Sequence, residues 1–101
     1  MSRDEIPEEH RRVPMPRKNQ VIGIIDQLLG AKRMYVDCAD GHRRLCRVPG
    51  RAKRRVWVRE GDFVLVEPWS IQGDEKGDVV YKYRRFQVGT LRKKGLLKEL
   101  E

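Results

Sequence analysis

The residues best suited to chemistry form one dense basic segment, residues 43–59, and that chemistry is phosphate binding. Arginine binds a phosphate through paired hydrogen bonds, and clustered cations release the counterions of a polyanion. Apolar residues such as Val48 and Val56 interrupt the charges, and Pro49-Gly50 predicts a turn, so we expect a basic loop between two strands. The segment contains no acid and eight bases, which are Arg43, Arg44, Arg47, Arg51, Lys53, Arg54, Arg55 and Arg59.

Charge is segregated along the chain. The 101 residues carry 23 Lys and Arg against 15 Asp and Glu, for a net charge of +8, and residues 82–98 form a second acid-free segment with seven bases. Such segregation indicates a polyanionic partner, with a basic surface kept for solubility or a membrane surface as alternatives. The apolar runs are too short to span a bilayer and no signal-peptide pattern is present, so we expect a cytoplasmic protein.

No arrangement of residues typical of catalysis is visible. The chain has no P-loop and no Ser or Cys nucleophile beside a base, so we predict that it is not an enzyme and needs no cofactor. Cys38, His42 and Cys46 have a Cys-x3-His-x3-Cys spacing, but structural zinc normally takes four ligands, and we expect reduced thiols and no metal. The acids at 74, 75 and 78 lack the spacing of a calcium loop.

Five short apolar segments are predicted to be the strands that position the basic residues. Asp40-Gly41 is a hairpin signal between the second and the third. A helix is predicted over residues 84–100, with Phe86, Val88 and Leu91 on its apolar stripe. The predicted strands cover residues 20–29, 33–39, 42–48, 63–67 and 79–83.

Five strands in one small domain are best closed into a barrel, because closure removes exposed strand edges. We therefore predict a mainly β protein with a five-stranded OB-fold barrel over residues 20–83, and an SH3-like barrel as the alternative. Residues 1–19 are predicted to be a flexible basic arm, and residues 84–101 a C-terminal helix and tail.

The predicted RNA-binding face lies on the second and third strands, which OB folds use for nucleic acids. Tyr35 is a candidate to stack on an unpaired base, and Trp57 either stacks or caps the barrel. Phe63 and Phe86 are assigned to the core, and Trp69 to packing. RNA is favoured over DNA because no recognition helix for a major groove is present. The whole predicted set is Arg33, Tyr35, Arg43, Arg44, Arg47, Arg51, Lys53, Arg54, Arg55, Trp57, Arg59, Lys82 and Arg84.

Several motifs in order resemble the translation initiation factor 1A family, which has archaeal and eukaryotic members and is similar to bacterial initiation factor 1. The resemblance covers roughly residues 13–95 and implies an S1-like OB fold without enzymatic activity. The matching motifs are Arg44-Leu45-Cys46, GRAKRRVW at residues 50–57, GDFVLV at residues 61–66 and DVVYKY at residues 78–83.

The resemblance also implies the partners. Such a factor binds the rRNA of the small ribosomal subunit at the aminoacyl-tRNA (A) site, blocks premature tRNA entry, and promotes initiator tRNA placement and start-codon selection. It meets initiator tRNA and other initiation factors indirectly, and we expect a monomer that binds neither DNA nor membranes. Trp57 would position the basic loop. The implied phosphate ligands are Arg44, Arg47, Arg51, Lys53, Arg54 and Arg55, and the arm residues that would reach the decoding centre are Arg11, Arg12, Arg17 and Lys18.

Two other functions stay open on sequence grounds. A general single-strand RNA chaperone of the cold-shock type would need a sheet richer in aromatic residues than a chain with 7% aromatic content supplies. A protein-interaction module would instead dock its basic face on an acidic partner and would not bind RNA at physiological salt.

The basic loop generates the first prediction. The double substitution Arg54→Glu and Arg55→Glu should weaken binding to small ribosomal subunits, because two residues that bind phosphate become two residues that repel it. Affinity is measured by filter binding, and thermal unfolding serves as the control for the fold. Unchanged affinity would rule out this loop as a phosphate ligand.

Overall fold

Five strands and one helix form the part of the chain that a computed structural model describes, residues 13–50 and 57–101. Several predicted contacts lie outside these described residues: Arg11, Arg12, Arg51, Lys53, Arg54 and Arg55. Within the described ranges, no helix is long and apolar enough to cross a membrane. The elements are β1 (Val21–Leu29), β2 (Arg33–Cys38), β3 (Arg43–Arg47), β4 (Phe63–Pro68), β5 (Lys76–Lys82) and α1 (Arg85–Lys93).

The strands close into a barrel in the order β1-β2-β3-β5-β4. β1 pairs antiparallel with both β2 and β4, and β3 pairs with β5 in parallel. This confirms the predicted five-stranded barrel of the OB type. The fifth strand begins three residues earlier than the predicted residue 79, because Lys76 and Gly77 already pair with β3.

β1 pairs with two neighbouring strands, and at its centre its backbone comes close to a side chain of β2. Gly23 pairs with both Cys38 of β2 and Val64 of β4. A β-carbon at Gly23 would collide with the Val36 side chain, so only glycine fits. The β1–β2 register shifts between Ile25 and Gln27, and such a bulge bends the strand around the barrel.

The barrel interior is a small aliphatic core that includes both cysteines. Cys38 and Cys46 are free and buried, and burial raises the pKa of the Cys46 thiol to about 12. A thiol with such a pKa is unreactive at neutral pH. The buried cluster consists of Ile25, Met34, Val36, Cys38, Cys46, Val64, Val66 and Val79.

A second core lies outside the barrel, where the C-terminal segment covers the outer face of β1 and β4. Ile22 and Leu65 pack against Tyr83, Leu91 and Leu97, and all five are buried. The C-terminal segment therefore packs on the side of the barrel.

The helix is shorter than the predicted residues 84–100. It ends at Lys93, where Gly95 takes a left-handed conformation with φ 74°. The Leu96 amide then donates to the Leu91 carbonyl (3.1 Å), which is the Schellman arrangement. The chain folds back after this turn and buries Leu97 completely.

Phe86 is not a core residue, contrary to the prediction. Its side chain is 54% exposed, whereas Leu91 is 0% exposed. A helix turns about 100° per residue, so Phe86 lies about 140° around the helix from Leu91. Gln87 lies within about 40° of Leu91 and is buried instead, with its amide donating to the Tyr81 hydroxyl (2.7 Å).

The end of the predicted N-terminal arm contacts the barrel. Val13 packs against the second core, and the Tyr83 hydroxyl donates to the Pro14 carbonyl. Gln20 donates to the Glu67 carboxylate (2.9 Å). These contacts join residues 13–20, which include the end of the predicted arm, to the barrel.

The second core generates a stability prediction. Leu91→Ala should lower the free energy of unfolding by about 2–5 kcal/mol, because it leaves a cavity under α1. The matched control Phe86→Ala lies in the same helix and should cost less than about 1 kcal/mol, since its ring is already exposed. Urea unfolding followed by tryptophan fluorescence measures both, and equal losses would contradict the packing of α1.

Candidate nucleic-acid interface

The outer surface of β2 and β3 presents three of the predicted RNA-binding arginines. Side chains alternate across a strand, and the burial of β2 and β3 alternates with the same two-residue period. We call this surface the β2–β3 face. Its members are Arg33, Tyr35 and Asp37 from β2, and Arg43, Leu45 and Arg47 from β3.

Arg33 and Arg47 lie directly opposite each other in the β2–β3 register. Like charges in this position repel, and an anion between them would remove the repulsion. Arg47 also lies 3.2 Å from a carboxylate oxygen of Asp78 through its Nε, while its side chain remains 58% exposed. The pair is therefore a suitable site for a phosphate.

Tyr35 is partly covered by a neighbouring cation. The Arg43 guanidinium lies 4.8 Å from the centre of the Tyr35 ring, and such cation–π contacts are favourable. Arg43 also contacts the carboxylates of Asp26 (2.8 Å) and Asp37 (3.0 Å), and these hydrogen bonds raise its pKa. A stacked base at Tyr35 stays a prediction.

Arg44 is not part of this face, which corrects the prediction that it contacts phosphate. It pairs in register with Val36 and points to the inward side of β3, where it is 2% exposed. Its two terminal nitrogens donate to the Asp40 carboxylate (2.9 and 2.8 Å), and its Nε donates to the Gly73 carbonyl. Side chains alternate between the two sides of a strand, so Arg44 points to the side opposite Arg43 and Arg47. This alternation was the signal in the sequence that would have identified Arg44 as an inward-pointing residue.

Trp69 is a residue that sequence reasoning assigned only to packing. Its indole N–H donates to Asp78 (2.9 Å), and its ring lies 5.1 Å from the Arg47 guanidinium and 5.6 Å from the Lys76 ammonium. Trp69, which follows β4, thereby links Arg47 of the β2–β3 face to Lys76 and Asp78 of β5. No local signal predicts this contact, because it depends on the parallel pairing of β3 with β5.

The remaining described residues of the predicted set lie outside the strand register that defines this face. Trp57 is 71% exposed, and Arg59 is also exposed. Lys82 pairs with Val64 of β4 and lies 3.4 Å from Asp62, beyond the part of β5 that meets β3, so the structure does not bring it to the face.

Three predicted cations flank the barrel elsewhere. Arg84 is exposed at the start of α1, and Arg17 and Lys18 are exposed at the turn before β1. None of these three residues belongs to the β2–β3 register, so none is a member of the β2–β3 face.

The metal-ligating side chains of the described residues do not come together. Among residues 13–50 and 57–101, no three His, Cys, Asp or Glu side chains come together in a group able to hold a metal ion. In the β2–β3 register Cys46 lies opposite Met34, whereas the Cys38 amide bonds to the His42 carbonyl at the other end of the hairpin.

Comparison with known proteins finds one family and several relatives. The model of the family "Translation initiation factor 1A / IF-1" matches residues 10–101. Translation initiation factor 1A of Methanococcus aeolicus is 50% identical over 92% of this chain and 90% of its own. The protein of the same name from Thermococcus kodakarensis is 55% identical over 83% of this chain and 74% of its own.

A solved structure is also similar. The solution structure of translation initiation factor 1 from the Wolbachia endosymbiont of Brugia malayi has a TM-score of 0.53 and 27% identity. The match covers 73% of this chain and 90% of that chain.

The Arg44–Asp40 pair generates a prediction about pH. Hydrogen bonds from Arg44 lower the pKa of Asp40 below its unfolded value of about 3.9. The pair therefore stabilises the fold fully above that value, and the stabilisation is lost as the pH falls through the folded pKa. Asp40→Asn should lower the thermal midpoint at pH 7 and make it decline less between about pH 5 and pH 2.

The control is Glu99→Gln, an exposed acid near the chain end. Its curve of thermal midpoint against pH should follow that of the parent protein. A parallel curve for Asp40→Asn would show that the pair does not stabilise the fold.

Proposed function

Because the chain belongs to the translation initiation factor 1A / IF-1 family, we propose that it binds the rRNA of the small ribosomal subunit at the A site. Bound there, it occludes the site and promotes initiator tRNA placement and start-codon selection. It acts in the cytoplasm as a monomer, without a catalytic step, and its contacts with initiator tRNA and other initiation factors are indirect.

The observation that carries this proposal is the set of arginines on the β2–β3 face. Arg33, Arg43 and Arg47 project from the strand pair that OB folds use for nucleic acids. The acid-free residues 48–59 continue directly from the end of β3, so the positive charge extends beyond the strands. Phosphates held along this surface would fix the register of the protein on a folded RNA.

Occlusion requires a rigid body, and the closed barrel supplies one. The strands that carry Arg33 and Arg47 are paired on both sides, so binding does not have to order them. The factor biases initiation only as far as it binds one state of the subunit more tightly than another. The A-site state in which tRNA is absent is the one that leaves room for the barrel.

A salt series tests the proposal. The protein should bind archaeal small ribosomal subunits one-to-one, and six to eight phosphate contacts would make log affinity fall with log salt at a slope of roughly −4 to −6. Excess large subunits or unstructured RNA should not displace it. Equal displacement by unstructured RNA would instead identify a general single-strand RNA chaperone.

One substitution tests whether the salt dependence of binding comes from the β2–β3 face. Arg33→Gln should make the slope shallower by about 0.7, since one phosphate contact is lost. Lys98→Gln removes the same charge from the exposed C-terminal segment and should leave the slope unchanged. Identical slopes for the two variants would exclude Arg33 from the phosphate ligands.

A further inference from the structure

The outward side of α1 carries exposed side chains that do not pack on the barrel. At about 100° per residue, Arg92 lies about 20° around the helix from Arg85, and Lys93 lies about 20° from Phe86. Three bases and an exposed aromatic ring therefore share one side of a helix that contains no acid. We call this surface the α1 face, and its members are Arg85, Phe86, Gly89, Arg92 and Lys93.

Gly89 lies in the middle of the α1 face, about 40° around the helix from Arg85 and about 60° from Phe86. Glycine destabilises the interior of a helix relative to alanine. The packing of α1 does not require it, because a β-carbon at Gly89 would meet no atom of the surrounding structure within 4 Å. The missing side chain instead leaves a shallow groove, in which another segment can approach the helix backbone.

One base of the α1 face already binds a carboxylate. Arg92 donates to Glu101 from two of its nitrogens, at 3.1 and 2.6 Å. Among residues 13–50 and 57–101, no acid forms an ion pair with Arg85 or Lys93. The α1 face therefore accepts carboxylates and has two further bases to which acids of another segment can bind.

Residues 4–9 have the composition that fits the α1 face. They read DEIPEE, with four acids, no base and the apolar pair Ile6-Pro7, and they lie outside the described part of the chain. Carboxylates complement the bases of the α1 face, and an apolar side chain complements the exposed ring of Phe86. The segment therefore matches the α1 face in both charge and apolar content.

The attachment of the chain at Val13 brings residues 4–9 within reach of α1. Val13 packs against the core that contains Leu91 of α1, and the next residue, Pro14, accepts a hydrogen bond from Tyr83. The span from Val13 to Glu9 is at most about 14 Å, and a helix of nine residues is also about 14 Å long. Such a short tether gives an effective concentration on the order of millimolar, so a weak contact is enough.

The β2–β3 face is the competing basic surface for the same segment. Two of its three arginines already contact acids, because Arg43 contacts Asp26 and Asp37, and Arg47 contacts Asp78. In addition, β2 and β3 contribute no residue to the core on which the N-terminal segment packs. Both the attachment of the chain and the unpaired charge favour the α1 face.

We propose that residues 4–9 dock on the α1 face of the same chain, with carboxylates on Arg85 and Lys93 and with Ile6 against Phe86. In the free protein the segment then covers these bases and competes there with other polyanions. Docking of this kind belongs to the free protein and does not depend on binding to ribosomal subunits.

A spin label at Ser2→Cys tests the docking in the full chain. Cys38 and Cys46 are buried, which protects them from the labelling reagent. In an NMR spectrum the label should broaden the amide signals of α1 and leave those of the β2–β3 hairpin sharp.

Neutralising the four acids of the segment separates docking from simple proximity. Most of the broadening should then be lost, because only the tether keeps the label near α1. The substitutions are Asp4→Asn, Glu5→Gln, Glu8→Gln and Glu9→Gln.

A second pair of variants tests the other side of the contact. Arg85→Gln with Lys93→Gln should reduce the broadening of α1, since the carboxylates lose their partners. The matched control, Lys32→Gln with Arg33→Gln, removes the same charge from exposed positions at the start of β2 and should leave the broadening unchanged.

Thermal unfolding checks that every variant folds. Broadening of α1 that survives neutralisation of the four acids would overturn the docking, because proximity alone would then account for it. Sharp α1 signals in the labelled parent protein would overturn it as well, and so would stronger broadening in the β2–β3 hairpin than in α1.

Discussion

Closure of the barrel by β1 is the constraint on which the other features depend. This strand pairs with β2 on one side and with β4 on the other, and the close approach at Gly23 is possible only without a side chain. In the closed barrel, each side chain of a strand points either into the interior or out to the surface. A sheet without this closure would leave two edges unpaired and would not fix the positions of the arginines.

The division into interior and surface explains why adjacent arginines have different roles. Arg43 and Arg47 project outward, whereas Arg44 points inward. The charge of the Arg44 side chain is therefore shielded from water. Asp40 and the Gly73 carbonyl satisfy its donors, because a buried charge is tolerated only when it is paired and hydrogen-bonded. The same side chain joins the β2–β3 hairpin to the β4–β5 loop, so the hairpin and the loop are held in a fixed relation.

The two cores determine which outer surfaces remain available. α1 and the turn after it cover the outer side of β1 and β4 through Leu91 and Leu97. The β2–β3 face is left uncovered by the described residues of the C-terminal segment and carries the exposed Arg33, Arg43 and Arg47. Apolar packing on one side of the barrel thus leaves these arginines on the other side available for the proposed RNA contact.

Much of the molecule was determined by the sequence alone, through patterns that are local. Alternating residues and turn signals predicted five strands and a barrel, and the acid-free run predicted where the positive charge lies. Tertiary structure decided the roles of Arg44, Trp69 and Phe86, because each depends on which neighbour the fold supplies. Arg44 needs Gly73 from another strand pair, Trp69 meets Arg47 only through the β3–β5 pairing, and Phe86 is exposed because α1 turns its other side to the barrel. Local patterns set charge and periodicity, but contacts between residues distant in sequence exist only after the chain has closed.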